Sequence, residues 1–253
     1  MNRVAFIAAV TAAVLFAPPA NAADEIFELW LNPTAAIDLG KGEVELETAQ
    51  RIRDGRDDTY FVRLWYGQDI ARDVSLQGGV EQRWQGRGEE RRLLQQLSIK
   101  RGLLRSRSRL EQRFVDSDDR MALRFRQRLG VSVPFDASEA TTFVANAEGF
   151  LTLRSGDRGG QTGLTALRTY IGFERALGKH VEIGLGYMRA QEFRSGAADR
   201  VGHAPLVAVG LKFLLNAPAA KGKAGGSCLW ARRVSSCLRA ARGGPQRHNK
   251  PDR

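Results

Sequence analysis

The 253-residue chain carries 39 Lys and Arg against 28 Asp and Glu, a formal net charge of +11, with two cysteines and three histidines. The charge is unevenly spread. The tail from Asn216 holds nine of the bases and one acid, so residues 23–215 are nearly neutral and make no case for nucleic-acid binding. Both cysteines, Cys228 and Cys237, lie in that tail, which excludes a disulfide framework or a cysteine-based metal site from the body.

In chain order, Asn2 and Arg3 precede a nearly unbroken apolar run over 4–16, and Pro18-Pro19 leads into Ala20-Asn21-Ala22, a small-x-small cleavage pattern. Residues 1–22 therefore read as a secretory signal peptide, with a mature chain starting at Ala23. The run is too short and wrongly flanked for a membrane helix; a buried N-terminal helix is the alternative. No other stretch approaches the ~20 apolar residues of a membrane helix. Barrel strands escape that test, because they spread their apolarity over alternate positions.

The segment 26–39 places Phe27, Leu29, Leu31, Ile37 and Leu39 on one face, with Asn32-Pro33 interrupting it. From Glu43 onward, period-2 alternation recurs between clusters of Gly, Asp and Ser. Val44, Leu46 and Ile52 oppose Glu43, Glu45, Glu47, Arg51 and Arg53, and Val74, Leu76, Val80 and Trp84 oppose Gln77, Glu81 and Arg83. The clearest case is 104–114. There Arg105, Arg107, Arg109, Glu111 and Arg113 share one face, while Leu104, Ser106, Ser108, Leu110, Gln112 and Phe114 take the other. A helix would scatter those arginines around its circumference; a strand stacks them. After the turn Asp116-Ser117-Asp118-Asp119, Arg124, Arg126 and Arg128 oppose Met121, Leu123, Phe125, Leu129 and Val131. Three further segments alternate around Ile171, Ile183 and Val209. The tail 216–253 is rich in Gly, Ala and Arg, shows no sustained period and reads as disordered. A shifted reading frame would produce the same composition.

Segments of ten or more residues exceed the ~5–6 typical of soluble strands and match the ~9–11 of membrane-barrel strands. The expected fold is all-β: one antiparallel, transmembrane-type, up-and-down barrel over 23–215 with a polar lumen and about 10–12 strands. Roughly ten strands lie between Glu43 and Leu215, the even number that bacterial barrels favour. The segment 26–39 would make the count odd, so Asn32-Pro33 either splits it into a hairpin or leaves it outside the wall. The longer connections, at 54–58, 116–119, 155–163 and 194–202, fall at one end, expected to be extracellular. A soluble lipocalin-like carrier would reverse the polarity, apolar inside and polar outside.

Several stretches carry a family resemblance: Leu29-Trp30, Glu45-x-Glu47-x-x-Gln50-Arg51, Arg107-x-Arg109-x-Glu111-x-Arg113, and Arg168-Thr169-Tyr170-Ile171-Gly172 followed by Gly186-Tyr187. In that order the chain resembles a family of small Gram-negative outer-membrane barrels known as a domain of unknown function. The resemblance spans most of 29–215. It implies a barrel and an outer-membrane location, and no activity. Such barrels finish near a C-terminal aromatic, here Phe213, whereas this chain continues beyond it.

The candidate site is a charge ladder in the lumen: Arg105, Arg107, Arg109, Glu111, Arg113, Arg124, Arg126, Arg128, Glu45, Glu47, Glu81 and Arg83. Packed arginines repel unless acids face them, and Glu43, Glu148, Glu174 and Glu182 add partners. The ladder is either a salt-bridged filling that rigidifies the barrel or a cationic constriction for anionic solutes. Trp30, Tyr60, Trp65, Tyr66, Trp84, Phe114 and Tyr187 are expected to form an interfacial girdle. The body histidines, His180 and His203, sit beside turns, and no Gly-x-Ser-x-Gly occurs, so a lipid-modifying enzyme is the secondary reading. No residue spacing suggests a metal site, and no cofactor is expected. The expected partners are outer-membrane lipid and the barrel-assembly machinery, with no nucleic acid and an unidentified small solute.

Overall fold

In the computed structural model, the described residues are 24–54, 57–86, 88–136, 138 and 140–214. The expected signal peptide, 1–22, and the basic tail, 216–253, lie outside them. Eleven strands follow one another: β1 Asp24–Asp38, β2 Glu43–Arg53, β3 Thr59–Ala71, β4 Val74–Gln85, β5 Gly88–Arg101, β6 Leu104–Val115, β7 Ala122–Pro134, β8 Thr141–Arg154, β9 Gly163–Leu177, β10 Val181–Glu192 and β11 Arg200–Leu214. They run from 11 to 15 residues. Each pairs with its neighbour in sequence, and β1 pairs with β11 to close the barrel.

Closure corrects two expectations. The segment from Asp24 is neither a hairpin nor outside the wall; it is a continuous strand. Its ladder with β11 runs through Asn32↔Ala208 and Pro33↔Val209, while its ladder with β2 skips those two residues. Proline lacks the N–H that the β2 side would receive, so Pro33 costs a local gap rather than a break. The count is accordingly odd. Ten adjacent pairs are antiparallel and the eleventh, β1 with β11, is parallel, as an odd meander requires in order to close. Parity also sends the two ends of the wall apart. Asp24 lies at the end with connections 54–58, 116–121, 155–162 and 193–199, and Leu214 lies at the end with turns 39–42, 72–73, 102–103 and 178–180.

The turns at the second end follow ordinary hairpin chemistry. Between β5 and β6 the first of two turn residues is Gly102, with φ 58°, a left-handed conformation that glycine adopts without steric cost.

Polarity across the wall follows the period-2 pattern. Leu104, Leu129, Leu185 and Phe213 are exposed on the outside, whereas Arg63, Glu81, Arg109, Glu111 and Glu148 are buried within. This is the inverse of a soluble carrier barrel. Outside, Val131, Phe143 and Ala145 pack together with Ile171, and Phe173 meets Phe135 and Phe143 edge-on at 5.4 and 5.5 Å. Inside, the wall around β9–β11 and β1 mixes small and apolar side chains with charged ones such as Arg168, Glu174, Glu182 and Glu192. Trp30, Met188 and Ala204 pack there with Tyr170 and Leu206. The extended ion-pair network lies on the opposite arc, β2 to β8.

Candidate functional site in the barrel interior

The strand register explains why the arc from β2 to β8 holds together. Opposite charges face one another at Glu47↔Arg63, Arg63↔Glu81, Glu81↔Arg92, Glu111↔Arg124 and Arg128↔Glu148. Like charges also face, at Arg92↔Arg113, Arg107↔Arg128 and Arg109↔Arg126. Such pairs are unfavourable alone, and buried carboxylates bridge them. Glu148 takes Arg107 at 2.7 Å, Arg126 at 2.8 Å and Arg128 at 3.0 Å. Glu111 takes Arg124 at 2.5 Å and Arg126 at 2.6 Å, with Arg92 at 3.7 Å and Arg109 at 3.9 Å. Glu81 binds Arg63, Arg83 at 2.8 Å and Arg92 at 3.3 Å. Glu90 binds Arg92 at 2.6 Å and Arg113 at 2.5 Å, and Glu47 binds Arg63 at 2.5 Å. Through the shared arginines these acids form one network from β2 to β8.

All twelve ladder residues lie on the interior face. Glu81 and Glu111 are buried beneath the network. The other ten, Glu45, Glu47, Arg83, Arg105, Arg107, Arg109, Arg113, Arg124, Arg126 and Arg128, line interior cavities. Arg105 turns back at its strand end to donate to the carbonyls of Gly102 and Leu104, at 2.6 and 3.0 Å. Arg109 donates to Gln96 Oε1 at 2.8 and 2.6 Å. Arg63, Glu90 and Arg92 were not singled out from the sequence, although Arg63 and Arg92 connect the network. Arg63 sits between Phe61 and Trp65, and the run Glu89-Glu90-Arg91-Arg92 hides the alternation, so neither strand announces a charged face.

The expected aromatic girdle is corrected at two positions. Tyr60, Tyr66, Trp84, Phe114 and Tyr187 are exposed outside, but Trp30 and Trp65 are buried within. Both indoles have polar work inside. Trp30 Nε1 donates to Glu28 at 2.5 Å, and the Arg51 guanidinium lies 3.7 Å from its ring centre. Trp65 Nε1 donates to Glu47 at 3.3 Å, with Arg109 over the ring at 4.8 Å.

Among the described residues, two interior cavities have volumes of about 490 and 310 Å³. The larger reaches Gln85, Glu90 and Glu192 toward the long-loop end; the smaller reaches Ser75, Lys100 and Ser132 toward the short-turn end. They meet at Glu45, Glu47, Arg107, Arg109, Arg128 and Asn146, which line both. The larger cavity is lined on one side by the small side chains Gly184, Ala208 and Gly210 and on the other by arginines and glutamates of β2–β8.

At the long-loop rim, burial and the neighbouring Asp157 carboxylate hold Asp118 above its ordinary range. At the other rim, bonds from Thr141 and Ser138 pull Asp136 down to about 2. His180 Nδ1 lies 2.9 Å from the Lys212 carbonyl, and His203 Nδ1 lies 2.5 Å from the Tyr187 hydroxyl. Among the described residues no cluster of three His, Cys, Asp or Glu is arranged to hold a metal ion.

A family model described as protein of unknown function (DUF2490) matches residues 27–201. The chain belongs to this family. No curated protein matches it. Among solved structures, this DUF2490 barrel is similar to the NanC porin in its rhombohedral crystal form. Identity is 10%, the TM-score is 0.51, and the match covers 74% of this chain and 98% of that one. The DUF2490 chain thus shares a porin-like closed-barrel fold, with all of its described secondary structure in strands.

Proposed function

We propose that this DUF2490 barrel spans the bacterial outer membrane as a small pore whose lumen is lined by arginine and glutamate. The carrying observation is the adjacency of the two cavities. The two cavities share their central lining residues and together extend from one rim to the other beside the β2–β8 ion network. The network then acts as a partial filling that narrows the passage and keeps the wall rigid, leaving a charged path through the interior.

The exposed aliphatic exterior, flanked by Tyr60, Trp84 and Tyr66, suits lipid contact, and the longer loops suit the cell-surface side. Outer-membrane lipid and the barrel-assembly machinery are the partners that this location implies. The role is non-enzymatic: the Nδ1 partners of the two body histidines are a carbonyl and a phenol, which is not the arrangement of a serine hydrolase.

Reconstitution into planar bilayers tests the reading. The wild-type protein should conduct, and replacing Arg107, Arg109 and Arg128 together with glutamine should shift the reversal potential in a salt gradient toward cation preference. A protein that inserts and shows heat-modifiable gel mobility, yet passes no current, would be a structural barrel and would end the pore reading.

A further inference from the structure

Nearly every guanidinium inside the barrel has a carboxylate against it; Arg51 and Arg168 do not. Arg51 on β2 is only 8% exposed. Its guanidinium lies 3.7 Å from the centre of the Trp30 ring, and its Nε is buried with no hydrogen-bond partner. Arg168 on β9 reaches toward the same indole from another strand, 5.2 Å from the Trp30 centre and 4.5 Å from that of Phe150, and its Nε is likewise buried and unpartnered. Among the described residues neither makes an ion pair.

The nearby acids are already engaged. Glu28 accepts from Arg53 at 3.0 Å and from Trp30 at 2.5 Å. Glu148 holds three other arginines, and Glu192 takes Arg200 at 3.1 Å. Arg51 and Arg168 carry the same sign and both point at the Trp30 ring. Two like charges held together in a half-dry interior are costly, and stacking on an aromatic ring offsets only part of that cost. A neutral side chain would fill either position at lower cost. Retaining both charges fits a site whose counter-ion arrives from solution.

Both side chains line the larger cavity, where Asn32 carries a buried and unpartnered side-chain oxygen two residues along β1 from Trp30. We infer that Arg51 and Arg168, converging on Trp30, form a binding subsite for the oxyanion of a small solute, a phosphate or a carboxylate, inside the proposed passage. The two guanidinium groups supply donors to the oxyanion, and Asn32 supplies a further polar contact to the remainder of the solute. The inference rests on the pore reading for its access route, but binding itself is measurable without conduction.

The test is calorimetric titration of the folded, detergent-solubilised full chain with inorganic phosphate and, separately, with acetate, against chloride at equal ionic strength. Saturable binding of phosphate or acetate is expected, and the two arms tell which oxyanion is preferred. In the Arg51→Gln/Arg168→Gln double variant that binding should weaken by about 30-fold or more. Without added oxyanion the variant should melt higher than wild type, because two uncompensated charges are gone.

Wild-type protein that binds neither anion above chloride overturns the subsite, as does a double variant that binds equally well. A variant that melts lower, or fails to fold, shows the two arginines to be structural pillars on Trp30 and overturns it too. A barrel that binds phosphate yet carries no current would retain the subsite and end only the pore reading.

Discussion

Glu148 is 1% exposed and is held by Arg107, Arg126 and Arg128, so its charge underwrites three neighbours at once. Glu148→Gln keeps the shape and removes the charge, leaving Arg107↔Arg128 directly opposed on adjacent strands. Breaking one side of a buried ion cluster costs about 3 kcal/mol or more. Urea unfolding of the variant should therefore show a lower midpoint with an unchanged slope; an unaltered midpoint would mean that water screens the cluster. Arg107, Arg109, Arg126 and Glu111 were legible in the sequence because they stand at alternate positions in two uninterrupted strands. Arg63 and Arg92 were not, because an aromatic pair in one strand and a four-residue charged run in the other mask the period. The indoles of Trp30 and Trp65 misled for a different reason. Aromatics suit both a membrane interface and a guanidinium platform, and sequence position alone does not separate the two.

Among the elements, β4 shows what a glycine in a barrel wall is for. Trp65 on β3 pairs with Gly79, and a Cβ added at Gly79 would lie 2.4 Å from the indole. The ring lies across the bare backbone of the neighbouring strand, as Tyr170 does over Gly186, where an added Cβ would also fall 2.4 Å away. Gly79→Val should displace Trp65 from Glu47 and Arg109 and lower stability by about 1–3 kcal/mol. A red shift in tryptophan emission together with a lower melting temperature would register it; unchanged emission would mean that the ring has room to move. The position, orientation and outward face of most strands were legible from alternation and turn residues. The parallel seam was not, because hydropathy shows which face a strand buries and nothing about which neighbour it meets. Asn32-Pro33 resembled a break, yet the chain crosses it by giving up pairing on one side only.

At the scale of the whole molecule the ion-pair network is one-sided. A cross-linked ion network on β2–β8 faces an arc on β9–β11 and β1 that mixes Gly184, Ala208 and Gly210 with Arg168, Glu174, Glu182 and Glu192, and the larger cavity is lined by both. Alternation predicted a polar interior. It could not predict how far the ion network extends, which depends on which arginines find a carboxylate on neighbouring strands. In the proposed reading, the ion network is what narrows a charged lumen to a small passage. Everything about that passage assumes that aliphatic side chains meet lipid while guanidinium groups meet water.

Quenching by brominated lipid, in variants that each retain a single tryptophan, tests this assumption most directly. Trp84 is exposed on the outer wall, and Trp65 is 3% exposed inside. In refolded proteoliposomes the Trp84-only protein should lose most of its emission on bromination of the acyl chains, and the Trp65-only protein should lose almost none. Strong quenching of Trp65, with Trp84 unaffected, would turn the barrel inside out and contradict the account.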